Sequence, residues 1–274
     1  MAPSTRSKLV IPPQPISPQR LFLLAKEELQ KSQSLLLEDI SADIAAALIS
    51  GLETDKEIGE GCFRYYFDIT TRIFYAYMPT YIQDSVQLTF SDILEDMVDA
   101  RFLSWTQFKT LKVYSGTRYE DFVGVHAGSR KEPDAGVLVD GRTVNGLPDF
   151  CPVWANECAY SDPKTQLNRD IHKWIDGTSG GVVWGVASNF NKRTNSRVSG
   201  SVDFFTGMNV VTRSIFPAPP NPNDDRIRYT RDDLFGGVVP LEQGQTAQDV
   251  YILDIGLFRR RASTAAQKMG LIPV

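Results

Sequence analysis

Apolar residues recur at helical spacing in the first part of the chain. Ser17-Pro18 precedes the apolar series Leu21, Leu24, Ala25 and Leu29, and Ser followed by Pro is typical of a helix start. A second series, Leu37, Ile40, Ile44, Ala47 and Leu48, lies on one helical face and ends at Gly51. The pattern predicts an N-terminal helical extension, arranged as a hairpin, after a Pro-rich arm at residues 1–16.

The pattern changes near residue 63. Residues 63–67 and 73–77 are rich in aromatic side chains and predict two strands joined by a short turn, and residues 81–100 return to helical spacing. Further strands are predicted at 122–126, 134–139, 152–157 and 181–187, with a helix from Asp162-Pro163 to Ile175. Strand, strand, helix and strand in this order predict an α/β (α+β) fold, with a mixed central sheet and a crossover helix.

The last part of the chain carries weaker patterns. Residues 198–211 and 250–258 predict edge strands or a closing hairpin, and residues 216–233 predict a loop. Four basic residues without an acid after Asp254 predict an exposed basic tail: Arg259, Arg260, Arg261 and Lys268. We expect three segments, which are the arm and helical extension (1–60), the main domain (61–215), and the loop, closing strand and basic tail (216–274).

Composition narrows the class of protein. The chain has 274 residues, 42% of them hydrophobic and 23% charged, which is typical of a globular protein. Its formal net charge of −4 means that any contact with nucleic acid requires a local basic face. Three cysteines without a Cys-x-x-Cys spacing, and two distant histidines, argue against a disulfide framework or a structural zinc site. No apolar run approaches the ~20 residues of a membrane helix.

The first residues bear on location. Residues 1–26 contain four basic residues and no acid, as in a mitochondrial leader. The prolines at 12, 13, 15 and 18 would break the amphipathic helix that such a leader needs. There is no hydrophobic stretch of the signal-peptide kind. We therefore expect an intracellular protein of the nucleus or the cytosol.

Two acidic residues occupy positions where an unpaired charge is costly. Asp134 stands at the start of a predicted strand, and Glu157 lies in a strand otherwise rich in Val, Trp and Ala. If neighbouring strands bring the two together, they form an oxygen-rich pocket suited to Mg²⁺, which promotes phosphodiester cleavage. Structural roles remain open, because Asp134 can cap a turn and Glu157 can pair with Arg169 or Lys173.

Several motifs in this region together resemble the PD-(D/E)xK nuclease superfamily. They are Lys131-Glu132-Pro133-Asp134, Pro152-Val153-Trp154-Ala155-Asn156-Glu157, Tyr160-Ser161 and Leu167-x-x-Asp170-x-x-Lys173-Trp174. They are similar to K-x-P-D, P-x-V-x-E-x-x-x-S and L-x-x-D-x-x-x-W in restriction-endonuclease-like domains of fungal genomes and their bacterial relatives. Met78-Pro79-Thr80-x-x-Gln83-Asp84 is similar to the start of an upstream helix in that family. The resemblance covers roughly residues 63–190.

The resemblance implies a restriction-endonuclease-like mixed central sheet flanked by helices, with a metal-dependent phosphodiesterase site. Asp134 and Glu157 would be the ligands of Mg²⁺ (or Mn²⁺), and Asp84 would be an auxiliary acid. The family's lysine lies two residues after the glutamate, where this chain has Ala159. Lys173, on the following helix, would then complete the catalytic set.

The resemblance also implies nucleic acid as the partner, DNA in preference to RNA. Lys131, Lys192, Arg193 and Arg197 are candidates for phosphate contacts, although such charge runs are also common on solvated faces. Three hypotheses remain open. They are a Mg²⁺-dependent nuclease, a nuclease-fold binding module without catalysis, and an interaction protein whose N-terminal helices form a homodimer.

Overall fold

The computed structural model describes residues 17–32, 34–59, 63–144, 147–160, 164–207 and 209–274. The helices are α1 (Pro18–Ser32), α2 (Ala42–Thr54), α3 (Lys56–Gly59), α4 (Tyr81–Asp99), α5 (Trp105–Thr110), α6 (Lys164–Gly177), α7 (Arg231–Phe235) and α8 (Gly256–Lys268). The strands are β1 (Ser34–Leu37), β2 (Arg64–Asp68), β3 (Ile73–Tyr77), β4 (Leu111–Tyr114), β5 (Arg130–Lys131), β6 (Ala135–Val139), β7 (Thr143–Val144), β8 (Leu147–Pro148), β9 (Trp154–Tyr160), β10 (Trp184–Lys192), β11 (Arg197–Thr206), β12 (Asn209–Phe216), β13 (Arg226–Thr230), β14 (Val250–Asp254) and β15 (Ile272–Pro273).

The mixture of helices with parallel and antiparallel strands confirms the predicted α/β (α+β) class. The chain divides into two compact units: unit 1 contains residues up to Pro79 together with Arg118–Glu132, and unit 2 contains Thr80–Thr117 and Pro133–Val274. This division differs from the three expected segments because β5 pairs with β2 and thereby returns 118–132 to unit 1. Within the described ranges, no helix has both the length and the apolar character needed to span a membrane.

Unit 1 is built on an antiparallel sheet in the order β1-β3-β2-β5. Helix α1 begins at Pro18 as predicted, and the Ser17 hydroxyl accepts a hydrogen bond from the Arg20 amide at 3.3 Å. The predicted helical hairpin is wrong, because residues 34–37 form a strand that buries Leu35 and Leu37 against the sheet. The predicted strand at 122–126 is also wrong, since Gly124–His126 form a 3-10 turn.

Unit 2 has a central sheet in the order β12-β11-β10-β9-β6-β4, with β15 beside β11. Strands β9 and β10 run parallel through the α6 crossover, whereas β4-β6, β6-β9, β10-β11 and β11-β12 are antiparallel. Edge strands or a closing hairpin were predicted for residues 198–211, and this region lies in the antiparallel pair β11-β12, with β11 as an inner strand and β12 at the end of the order.

The two faces of this sheet pack against different helices. On the α4 face, the ring centroids of Trp154 and Trp184 lie 4.9 Å apart. Both rings contact Phe90 of α4, so the two tryptophans lie in the core. Helix α4 starts with a reciprocal capping box between Thr80 and Gln83. The opposite face packs against α6 through an apolar cluster of Ala159, Leu167, Ile171, Ala187 and Phe205.

The C-terminal part is more ordered than the sequence pattern predicts. Residues 226–230 form β13 and pair with β14, although a loop was predicted there. The predicted basic tail is wrong because residues 256–268 form α8, whose apolar side is buried in the same cluster as α4. Its charges are compensated by distant acids: Arg259 pairs with Asp225 at 2.8 Å and Arg261 with Asp92 at 2.5 Å.

Candidate functional site

Backbone pairing between β6 and β9 brings Asp134 beside Glu157. Ala135 is paired with Asn156, so one further step along this antiparallel register leads from Asp134 to Glu157. The Asp134 amide donates to the Asn156 carbonyl at 3.0 Å, and its Oδ2 accepts from the Cys158 amide at 2.7 Å. Asp134 is thus bonded to both chain neighbours of Glu157. This register meets the condition that the sequence-based Mg²⁺ hypothesis set, namely that neighbouring strands bring the two acids together.

The Glu157 carboxylate is held from α6. Its Oε1 accepts a 2.6 Å hydrogen bond from the indole Nε1 of Trp174. Asp134 is 1% exposed and Glu157 5% exposed, so both carboxylates lie away from bulk water. A buried carboxylate requires hydrogen bonds or a cation for its charge to persist. Trp174 is fully buried, as expected of a tryptophan in the core, but the sequence did not indicate that its indole bonds Glu157.

Lys173 lies next to Trp174 on α6 and is only 1% exposed. A lysine at this depth keeps its charge only when anions or other acceptors compensate for lost solvation. Helix α6 therefore contributes a buried amine and an indole that bonds the acid, from consecutive residues.

The position of the family lysine is filled by an alanine in a well-packed layer. Ala159 belongs to the apolar cluster between β9 and α6, and its register partner on β10 is Asn189. The side-chain oxygen of Asn189 is buried and has no hydrogen-bond partner among the described residues. Asn189 lies beyond the strand predicted at 181–187 and has polar neighbours, Ser188 and Asn191, so the sequence pattern did not single it out. It is the residue most directly placed beside the missing lysine.

Gln83, rather than Asp84, connects α4 to β9. Its Nε2 donates to the Cys158 carbonyl at 3.2 Å, while Asp84 is exposed in the first helical turn. The described part of the chain contains no group of three or more His, Cys, Asp or Glu that could hold a metal. Asp84 therefore does not join Asp134 and Glu157 in such a group, which departs from its expected role as auxiliary acid.

The four basic candidates for phosphate contacts are in two different environments. Lys192, Arg193 and Arg197 are exposed at the turn between β10 and β11, where the Arg193 amide donates to the Arg197 carbonyl at 2.7 Å. Lys131 is buried in unit 1, with its Nζ 4.2 Å from the centre of the Tyr66 ring. Lys131 does not present an exposed amine to a phosphate backbone, whereas the turn does.

Unit 1 contains its own buried acid. Glu132 accepts a hydrogen bond from Arg118 at 3.1 Å, and Arg118 also pairs with Glu53 and Glu120. Burial raises the pKa of Glu132 to about 7, and the positive charge of Arg118 only partly opposes this shift. This acid is part of a structural ion-pair cluster.

The pair Asp134 and Glu157 fits the chemistry of a Mg²⁺ site. Magnesium prefers oxygen ligands and is commonly held through one or two carboxylates, with water and substrate phosphate in the other positions. The hydrogen bonds from Cys158 and Trp174 orient the two carboxylates, and each carboxylate can accept several bonds through its two oxygens. The donor set is therefore compatible with one divalent cation.

Comparisons with known proteins give no independent assignment. No family model, no curated protein and no solved structure matches this chain. The functional interpretation therefore depends on the geometry described above.

Proposed function

We propose that unit 2 is a metal-dependent phosphodiesterase of the nuclease type, acting on DNA. The observation that carries this proposal is the placement of Asp134 against both neighbours of Glu157, deep between the sheet and α6. Buried ionisable groups are costly for a fold, and their clustering is typical of functional sites. The resemblance to PD-(D/E)xK nucleases, stated from the motifs, is in agreement with this placement.

Each residue has a distinct role in the proposed hydrolysis. Asp134 and Glu157 would hold Mg²⁺, which would lower the pKa of water and neutralise phosphate charge. Trp174 fixes the orientation of the Glu157 carboxylate. The Lys173 amine stabilises negative charge on the phosphate oxygens, in place of the lysine absent at Ala159. Asn189 is a positioning residue whose side-chain oxygen accepts a hydrogen bond from the attacking water.

The exposed turn between β10 and β11 supports DNA as the substrate. Strands β9 and β10 are parallel, so their carboxyl ends lie at the same edge of the sheet, and Glu157 is in the middle of β9. Lys192, Arg193 and Arg197 are exposed at this turn and can follow a phosphate backbone.

A second candidate function is a nuclease-fold module that binds nucleic acid without cutting it. The deep burial of Asp134 and Glu157 favours it, because a substrate phosphate must reach the cation. Ala159 favours it too, since the usual lysine is replaced by a side chain packed in an apolar cluster.

A cleavage assay distinguishes the two candidates. Supercoiled plasmid and labelled duplex oligonucleotide are incubated with Mg²⁺ or Mn²⁺ and wild-type protein, and with the variants Asp134→Asn, Glu157→Gln and Lys173→Met. We expect each variant to cut at least about 100-fold more slowly, since each removes charge from the transition state. The matched control is Asp203→Asn, because Asp203 is a buried acid of the same sheet that pairs with Lys164 at 2.7 Å and is not one of the proposed ligands.

The outcomes separate cleanly when folding of every variant is checked by circular dichroism. Cutting that is lost in the three site variants and kept in Asp203→Asn supports the phosphodiesterase. Equal cutting by wild type and both carboxylate variants contradicts the site assignment. Wild-type protein that binds DNA without cutting it supports the second candidate.

A further inference from the structure

A separate cavity in unit 2 lies between the end of α4 and β14. Its volume is about 350 Å³, within the range of small-molecule sites. Phe102, Tyr251, Val250 and Ile252 give it an apolar wall, and Arg231 and Arg101 contribute positive charge. None of these residues belongs to the proposed phosphodiesterase site.

Arg231 is the unusual member of this lining. It is 3% exposed, and its guanidinium lies 4.3 Å from the ring centre of Phe102. Its Nη2 donates to the Phe102 carbonyl, but Nε and Nη1 are buried without a hydrogen-bond partner among the described residues. A guanidinium has five N–H donors, so a large part of its capacity is unused. Burial lowers the pKa of Arg231 below its usual value, as expected for a cation with incomplete compensation.

The nearby acids do not complete the coordination of Arg231. Asp249 lies 3.7 Å from Nη2, beyond hydrogen-bond distance, and its carboxylate already accepts bonds from the backbone and hydroxyl of Thr246. Asp96 accepts the hydroxyl of Tyr251 at 2.6 Å. Among the described residues, the guanidinium is therefore held by one carbonyl, an aromatic ring and a distant acid, so Nε and Nη1 can still donate to a further acceptor.

The charges around the cavity select the kind of anion. Asp96 and Asp249 oppose a second negative charge, so a monoanion is favoured over a phosphate dianion. The planar guanidinium matches a carboxylate, and the apolar wall matches a hydrophobic body attached to it. We propose that this cavity binds a small monocarboxylate with an aromatic or branched aliphatic body, whose carboxylate pairs with Arg231.

The test uses benzoate as the probe and full-length protein. Isothermal titration measures binding of benzoate, of the uncharged isostere benzamide and of inorganic phosphate. Arg231 is buried and its replacement can disturb folding, so the variants are made at Ile252, which lines the cavity and is 46% exposed. Ile252→Glu adds a negative charge at the rim, and Ile252→Gln is the matched neutral control.

The expected result is saturable benzoate binding to wild type and to Ile252→Gln, with about tenfold weaker binding to Ile252→Glu. Benzamide should bind much more weakly than benzoate. The proposal is overturned if wild type does not bind benzoate, if benzamide or phosphate binds as tightly, or if Ile252→Glu leaves the affinity unchanged.

Discussion

The two units each bury a glutamate, and they hold it in different ways. In unit 1, Glu132 is hydrogen-bonded by the guanidinium of Arg118, which is shared with Glu53 and Glu120. In unit 2, the Cys158 amide donates to Asp134, and the Trp174 indole donates to Glu157. Glu132 is thus tied to a guanidinium of its own unit, whereas a backbone amide and an indole help to orient the acid pair of unit 2.

This difference indicates what each arrangement can do. An ion pair with a fixed guanidinium offsets part of the cost of a buried carboxylate, and it occupies the acid. Hydrogen bonds from an amide and an indole fix the direction of carboxylate oxygens, as the outer-shell donors of a metal site do. We therefore assign Glu132, although it lies in the motif, to structure, and propose Asp134 as a site residue.

The largest expected effect is on the fixed ion pair. Arg118→Met removes the cation that Glu132, Glu53 and Glu120 share, and should lower the free energy of unfolding by about 3 kcal/mol at pH 8. Urea unfolding measures the loss. The double variant Arg118→Met/Glu132→Gln should recover part of it, and a single variant as stable as wild type would contradict the structural role of the cluster.

The pH dependence of Glu132 sharpens the comparison. Its pKa in the folded protein is about 7, above its ordinary value of 4.5, so the folded state binds an extra proton between these values. Stability should therefore fall as pH rises from about 4.5 to 7 and level off above that.

Glu132→Gln removes this titration and should stabilise the protein at pH 8 by of order 2 kcal/mol, with little effect near pH 4.5. Thermal unfolding of variant and wild type across this pH range measures the difference. A difference that is the same at every pH would contradict a raised pKa at Glu132.

On the unit 2 side, Trp174→Phe keeps the ring but removes the donor to Glu157. The lost hydrogen bond to a buried carboxylate should cost about 1.5 kcal/mol of stability and leave that acid less well oriented. Denaturant unfolding tests this loss. Trp105→Phe is the control because Trp105 is 64% exposed, and a similar change in both variants would argue against a specific role for the indole.

The smallest expected effect concerns the approach of α6 to the sheet. A Cβ at Gly185 would lie 3.0 Å from Ile171 and 3.2 Å from Ile175, so Gly185→Ala must push α6 outward. We expect a stability loss of about 1 kcal/mol, since overpacking outweighs the reduced backbone entropy of the unfolded chain. Unfolding at neutral pH measures it, and a more stable variant would show that α6 adapts freely.

The sequence predicted the features that depend on local pattern. The buried strands β9 and β10 and the start of α1 at Pro18 agree with it. The failures depend on partners distant in sequence. Strand β1 exists because β3 covers one edge of it, and the arginines of α8 are accommodated by Asp92 and Asp225. Neither partner can be read from local spacing.

The candidate site shows the same difference between features set by local sequence and features set by distant partners. The motif identified the acids and Lys173, because residue type and spacing are local properties. It did not identify Gln83 as the contact to β9, nor Asn189 as the neighbour of Ala159, because both depend on how α4 and β10 are placed around the strand. The apolar strand around Glu157 indicated that this acid is buried, but its hydrogen bond with Trp174 was not predictable, since it depends on the packing of α6.

Binding of Mn²⁺ tests the central claim most directly, because the ion is a spectroscopic probe for a Mg²⁺ site. Electron paramagnetic resonance counts the ions bound to wild type and to the double variant Asp134→Asn/Glu157→Gln. We expect one bound Mn²⁺ in wild type and none in the folded variant. A wild-type protein that binds no Mn²⁺, or a variant that binds it equally well, would contradict the account.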